Sequence, residues 1–295
     1  SVSTVEHLMG ALYGLGIDNA MDGVRLKYIP VKGIYLKTFI GKNRTYFTYS
    51  DGIIRGADAE VNLNESLNFE SKTKIIVGQG FVSRFQADNN PKFKLPQNIA
   101  AYSSRLNIIN GGWNYSGEYA IKLNDPIGSL TAEGNNYANG NALMSSLAYS
   151  QRGFGIIAEM HRVDHMEFRS ERAQEKQYII NYIPTLTKQH TYTLLALYPC
   201  ATQSEGEFGT QVDVFYKIKK GSVLGGKYGT KISFNFSNIR SLEKGVKYDT
   251  NKNEIEEISS SFKNDYTDFT PKFFSKNGEL FFNDINLEIY KKINK

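Results

Sequence analysis

A chain of 295 residues with 26 Gly, 7 Pro, 19 Tyr and 18 Phe is rich in strand formers, and long enough for one large β-domain or two ordinary ones. Its formal charge of +5 comes from 35 Lys+Arg interspersed with 30 Asp+Glu, with no basic block of the kind that marks a nucleic-acid footprint. A mean hydropathy of −0.41, with no run of about 18 apolar residues, excludes a helical membrane protein; it does not exclude a barrel, whose strands need only every second residue apolar.

The first element, Ser1 to Ala20, reads SVSTVEHLMGALYGLGIDNA. Ser3 or Thr4 is a capping residue, and Leu8, Leu12 and Leu15 recur at helical spacing, so a short helical or irregular segment is expected. The stretch Thr4-Val5-Glu6-His7 and its surroundings resemble one motif of the zinc-dependent deacetylase acting on UDP-3-O-acyl-N-acetylglucosamine in lipid A synthesis. That resemblance implies a catalytic base at Glu6 and a zinc ligand at His7. A catalytic zinc takes three protein ligands, and the family's other two come from a later His-x-x-x-Asp pair. No His in this chain is followed four residues later by Asp. His161 and His165, in HRVDH, fall at a strand-like segment, where residues four apart stand too far from each other to chelate one ion easily. They are expected as polar interior or loop histidines. The deacetylase is accordingly the weakest functional alternative, and no metal and no cofactor are expected.

From Met21 onward, period-two alternation dominates. Successive strands are predicted over Val24 to Val31, Ile34 to Gly41, Ile53 to Leu63, Ile75 to Phe85, Ala100 to Ile108, Trp113 to Leu123, Ala142 to Ser150 and Phe154 to Val163. Tyr178 to Pro184, Thr191 to Tyr198, Phe208 to Lys220, Tyr228 to Ser237 and Leu280 to Lys291 follow. In Trp113 to Leu123 the odd positions (Trp113, Tyr115, Tyr119, Ile121) are aromatic or aliphatic, while the even ones include Glu118 and Lys122. Residues two apart share a strand face, so each strand has one apolar and one polar side.

Short, turn-like links such as Pro30 to Gly33, Asn124 to Pro126 and Lys219 to Ser222 contrast with long polar ones at Asp88 to Asn98, Arg169 to Lys176 and Tyr248 to Asp268. Barrels of the bacterial outer membrane combine short periplasmic turns with longer outer loops. An ordinary sandwich also alternates, so a soluble periplasmic β-sandwich that binds a ligand is the main alternative. Two features favour the barrel. The polar faces carry Glu118, Lys122, Asp213, Lys217, Lys219 and Lys231, candidates for a water-filled lumen. The apolar faces carry Trp113, Tyr115, Tyr198, Phe208, Tyr216 and Tyr228 near strand ends, candidates for an interfacial girdle.

The runs Asp18 to Tyr28, Lys32 to Lys37, Gly52 to Asn62 (GIIRGADAEVN) and Trp113 to Leu123 (WNYSGEYAIKL) resemble a family of Bacteroidota outer-membrane proteins of unknown function. The resemblance implies a porin-like barrel carrying a signal peptide and longer than this chain. It brings no catalytic residues. The stretch Gly14 to Ala20 fits both families, which motivates a division into an atypical segment 1–20 and a barrel domain 21–295. The expected architecture is all-β: an antiparallel transmembrane β-barrel, incomplete because the last residues, Tyr290 to Lys295, lack the terminal aromatic of such proteins. The expected function is a porin-like or structural outer-membrane protein without catalysis. Its partners would be outer-membrane lipid and small hydrophilic solutes, and not nucleic acid. Gly78-Gln79-Gly80 and Gly221 to Gly229 open no helix and read as close packing in strands and turns. Asp58 and Glu60, on one strand face, read as lumen charge.

Overall fold

The computed structural model describes residues 21–44, 48–89, 94–123, 125–127, 136–137, 139–172, 179–188, 200–203, 206–243, 245–248, 254–258, 273–274 and 278–292. Eleven strands form one antiparallel sheet: β1 (Met21–Tyr28), β2 (Ile34–Arg44), β3 (Tyr49–Asn62), β4 (Thr73–Phe85), β5 (Asn98–Asn110), β6 (Trp113–Leu123), β9 (Gly140–Gln151), β10 (Phe154–Asp164), β11 (Glu207–Ile218), β12 (Thr230–Arg240) and β15 (Leu280–Lys291), neighbours in that order. Two small hairpins, β7 (Pro126–Ile127) with β8 (Asn136–Tyr137) and β13 (Gly245–Tyr248) with β14 (Glu254–Ile258), lie in its connections. The described helix is a single turn, α1 (Leu63–Ser66), capped by the Asn62 side chain. Among the described residues β1 and β15 each have a partner strand on one side, so the sheet is open at both edges, as in part of a barrel. No helix among the described residues is long and apolar enough to cross a membrane, which says nothing about strands.

Strand length follows from the sustained alternation. β9, β11 and β15 have 12 residues each, and β3 has 14. Twelve residues rise about 40 Å, so at a tilt of about 45° such a strand covers roughly the thickness of a hydrocarbon core. Antiparallel connections alternate between ends. At one end they are short: 29–33, 63–72, Gly111-Gly112, Arg152-Gly153 and 219–229. Gly111 and Gly153 supply the positive φ that two-residue turns require. The long connections, 124–139, 165–206 and 241–279, all fall at the other end, together with the links 45–48 and 86–97.

Three predicted elements differ. Tyr178 to Pro184 is not a strand: within its described part, Ile179 makes an isolated bridge to Arg169. The Asn181 side chain is spent on the main chain of Met166 and Phe168, and Pro184 has no N–H to offer a ladder. The expected polar loop Arg169 to Lys176 is, over Arg169 to Arg172, buried or half-buried chain; its charges are satisfied internally instead of by water. The long link after Tyr248 contains β14, which pairs back onto β13. Thr191 to Tyr198 and Ser1 to Ala20, with Glu6 and His7, lie outside the described residues.

The chain divides into two compact units. Unit 1 comprises 1–106, 118–142 and 163–183; unit 2 comprises 107–117, 143–162 and 184–295. In unit 1 the apolar clusters are small: Ile99, Ala101 and Phe168 with Val82 and Ile180, and Ala142, Val163 and Met166 with Ala120 and Ile183.

Candidate functional site

Polar and charged side chains are prominent on the face turned away from solvent in both units. Unit 2 displays this most clearly, through the register of β11, β12 and β15. One face carries the rows Asp213–Asn235–Asn286 and Gln211–Ser237–Asp284. The other carries Val214–Phe234–Leu287, Val212–Phe236–Ile285 and Tyr216–Ile232–Ile289. Asn235 and Ser237 are 1% and 0% exposed, whereas Ile285, Leu287 and Ile289 are 66%, 61% and 65% exposed. A sheet in water buries its aliphatic rows. This one is inverted.

The polar rows are internally bonded. Asn235 Nδ2 donates to Asp213 Oδ1 at 2.8 Å, and Gln211 Nε2 to Asp213 Oδ2 at 2.7 Å. Lys188 Nζ bridges Asn286 Oδ1 at 2.7 Å and Glu288 Oε1 at 2.6 Å. Above them a buried pair joins β10 to β11: His161 Nε2 lies 2.6 Å from Glu207 Oε1, and Glu207 Oε2 accepts from Gln203 N at 2.7 Å. Gly209 makes room for the imidazole, since a Cβ there would stand 2.9 Å from His161 Nε2. Half-buried Cys200 has its thiol pKa pushed up by burial and then by the Glu207 charge, which leaves it a poor nucleophile.

Unit 1 shows the pattern in part: Ile40 on β2 and Phe81 on β4 are exposed beside Arg55 and Gln79, while β1, an edge strand, is exposed on both faces. The opposite face carries small and charged residues together with the buried Ile54 and Ile99. Asp58 on β3 is buried between Arg105 and Lys37, bonded to the guanidinium and 3.9 Å from the ammonium. Gly56, Gly78 and Gly80 line the same side: Phe39 lies on the first, the Arg105 guanidinium on the second and Ser103 by the third.

Over this face the chain leaving β10 folds inward, from Val163 to Arg172. Lys122 Nζ donates to Glu167 O at 2.6 Å and to Asp125 Oδ2 at 3.2 Å. Arg84 Nη1 donates to Arg169 O at 2.8 Å, while its Nη2 reaches Asp125 Oδ1 at 3.2 Å. Asp125 is thus the carboxylate between two buried cations. Further along, Glu171 accepts from Asp51 N at 2.9 Å and from the Gln86 amide. Arg172 donates to Gln86 O at 3.2 Å and Pro96 O at 2.6 Å. Two glycines admit the segment: a side chain at Gly52 would strike Ser170 O, and one at Gly140 would strike His165 O. His165, at φ +49°, makes the turn that starts it, with its Nδ1 2.7 Å from Asp164 Oδ1.

The candidate lumen residues fall as follows. Lys122 is buried and Glu118 half-buried on one face of β6, and Asp213 is in the polar rows of β11. Lys217 and Lys231 stand opposite each other and exposed at the short-turn end, and Lys219 is in the turn itself. Of the girdle candidates, Trp113 and Tyr216 are exposed, Tyr115 is half-buried, Tyr228 is half-buried in the turn, and Tyr198 lies outside the described residues. Trp113 packs against Tyr149 with centroids 4.6 Å apart and the rings tilted by 41°, and Phe208 meets Phe274 edge-on at 6.3 Å. Sequence reasoning missed Arg84, Asp125, Glu171, Arg172 and the His161–Glu207 pair. The one signal was a large cation, Arg84, following Ile76, Gly78, Gly80 and Val82 on one strand face. Among the described residues no group of three or more His, Cys, Asp or Glu is placed to hold a metal ion.

No curated protein and no solved structure gives a significant match to this chain. A family model described as a family of unknown function, DUF6029, matches residues 13–295, and the chain belongs to that family.

Proposed function

We propose that the chain is the membrane-embedded part of a porin-like outer-membrane β-barrel without catalytic activity, whose polar face lines a path for small hydrophilic solutes. The observation that carries this reading is the inversion: Gln211, Asn235 and Ser237 are buried with Asp213 and Asn286 half-buried beside them, while Tyr216, Phe234, Ile285, Leu287 and Ile289 of the opposite face are exposed. Lipid is the solvent that makes an exposed Val–Phe–Leu row favourable, and a hydrated interior is the setting that makes Asp213, Asn235 and Lys188 tolerable. Strand length and the confinement of the three longest connections to one end support the same reading. The inward segment Val163 to Arg172 then narrows the path beside the Arg84–Asp125–Lys122 cluster.

The test is insertion into planar bilayers. The chain, refolded in detergent, is expected to give ion-conducting steps, with larger steps when residues 165–172 are replaced by a Gly-Ser linker. A chain that is monodisperse without detergent and does not enter a bilayer would overturn the proposal.

A further inference from the structure

The β11–β12 turn, with its flanking strand ends, concentrates positive charge. From Lys217 to Lys231 the chain reads KIKKGSVLGGKYGTK: five lysines and no carboxylate. Lys217 stands directly opposite Lys231, and like charges facing each other across a ladder are destabilising. The next strand brings Lys291, opposite Thr230, and Lys292 follows it. Among the described residues no carboxylate pairs with any of these seven. The neighbouring turn adds Arg152: Lys217 N donates to Gly153 O at 2.8 Å. At the tip of this cationic collar Val223 and Leu224 are 97% and 69% exposed. Tyr228 lies under Lys227 at 5.7 Å and Lys292 at 5.4 Å, and Lys231 stands 6.0 Å over the Tyr290 ring.

An apolar tip, aromatic rings with a polar end and a ring of unpaired ammonium groups match a membrane surface layer by layer: acyl boundary, glycerol region, phosphate. We propose that this turn is a docking surface for anionic phospholipid headgroups of the leaflet on the short-turn side. The phosphates sit along Lys219, Lys220 and Lys227 of the turn, while Lys217 and Lys231 stand on the polar face of the sheet and add to the local positive field. Val223 and Leu224 enter the acyl boundary. The inference rests on the membrane reading above, because it places the turn at a bilayer edge.

The experiment is lipid retention. The chain is inserted into vesicles of phosphatidylcholine alone, or of phosphatidylcholine with about one phosphatidylglycerol in ten lipids, a share that leaves room for the enrichment an anionic-lipid site would give. Its insertion is read by flotation, and the lipids it keeps after extraction into a neutral detergent are counted by mass spectrometry. The expected result is phosphatidylglycerol enriched about fivefold or more over its bulk share, the scale set by a single lysine near an anionic surface. The K219Q/K220Q/K227Q variant is expected to float as before and to return to the bulk ratio. Flotation with no enrichment, or enrichment that survives the triple substitution, would overturn the docking surface alone. Failure to float with either vesicle would overturn the membrane reading, and the docking surface with it.

Discussion

Asn235 on β12 stands directly opposite Asp213 on β11 and donates to its carboxylate at 2.8 Å, with the asparagine almost wholly buried. One position earlier, Phe234 points the other way and is exposed. In a sandwich core, replacing a buried Asn by Leu removes a polar group that must be satisfied. Here it strips a donor from the half-buried Asp213 carboxylate. N235L is expected to lower stability by about 1–3 kcal/mol, read from urea unfolding in detergent micelles. An unchanged or raised midpoint would mean that this face is an ordinary core.

The apolar rows make the converse prediction. Leu287, midway along β15 and opposite Phe234, faces outward. L287R is expected to cost about 2–4 kcal/mol when folding is measured into lipid vesicles, the penalty for a cation near mid-bilayer. On the other face of the same strand, E288Q breaks only the partly exposed contact with Lys188 and is expected to cost less than about 1 kcal/mol. Equal, small effects for the two variants would place both faces in water.

In unit 1 the critical group is Asp125. Its two oxygens each meet a buried cation at 3.2 Å, Arg84 on one side and Lys122 on the other. D125N leaves both cations without a carboxylate, a change expected to cost about 3–5 kcal/mol. Because those cations also hold the carbonyls of Glu167 and Arg169, the loss is expected to release the inward segment. Trypsin should then cut at Arg169 and Arg172 in the variant and spare both in the parent protein. Protection of these sites in D125N would show that the segment is held by its Phe168 and Met166 contacts instead.

The strand pattern was legible because each alternating run is decided locally. Trp113 to Leu123 and Leu280 to Lys291 form strands over the predicted residues, and the other matched strands shift by a few positions at their ends. What alternation cannot encode is which way a face turns. The same Val–Phe–Leu pattern serves a sandwich core and a lipid-facing wall, and the two are separated only by the burial of Asn235 against the exposure of Leu287. The inward path of Val163 to Arg172 was also hidden. Its sequence, VDHMEFRSER, has the polarity of a surface loop, yet its Glu171 is met by Asp51 N and the Gln86 amide and its carbonyls by Arg84 and Lys122, residues 45 to 120 positions away. No local rule links them. Gly52 and Gly140, which admit the segment, looked like ordinary strand glycines.

Trp113 offers the most direct measurement of the central claim, that the exposed face of this sheet meets lipid. It is the chain's only tryptophan, exposed at the start of β6 beside the Gly111-Gly112 turn and packed against Tyr149. The chain is folded into vesicles whose acyl chains carry bromine at shallow or deep positions, and its tryptophan emission is followed. Strong quenching by shallow bromines and weaker quenching by deep ones is expected of a ring at the membrane interface. Emission unaffected by bromine at either depth, with the protein bound to the vesicles, would contradict the account.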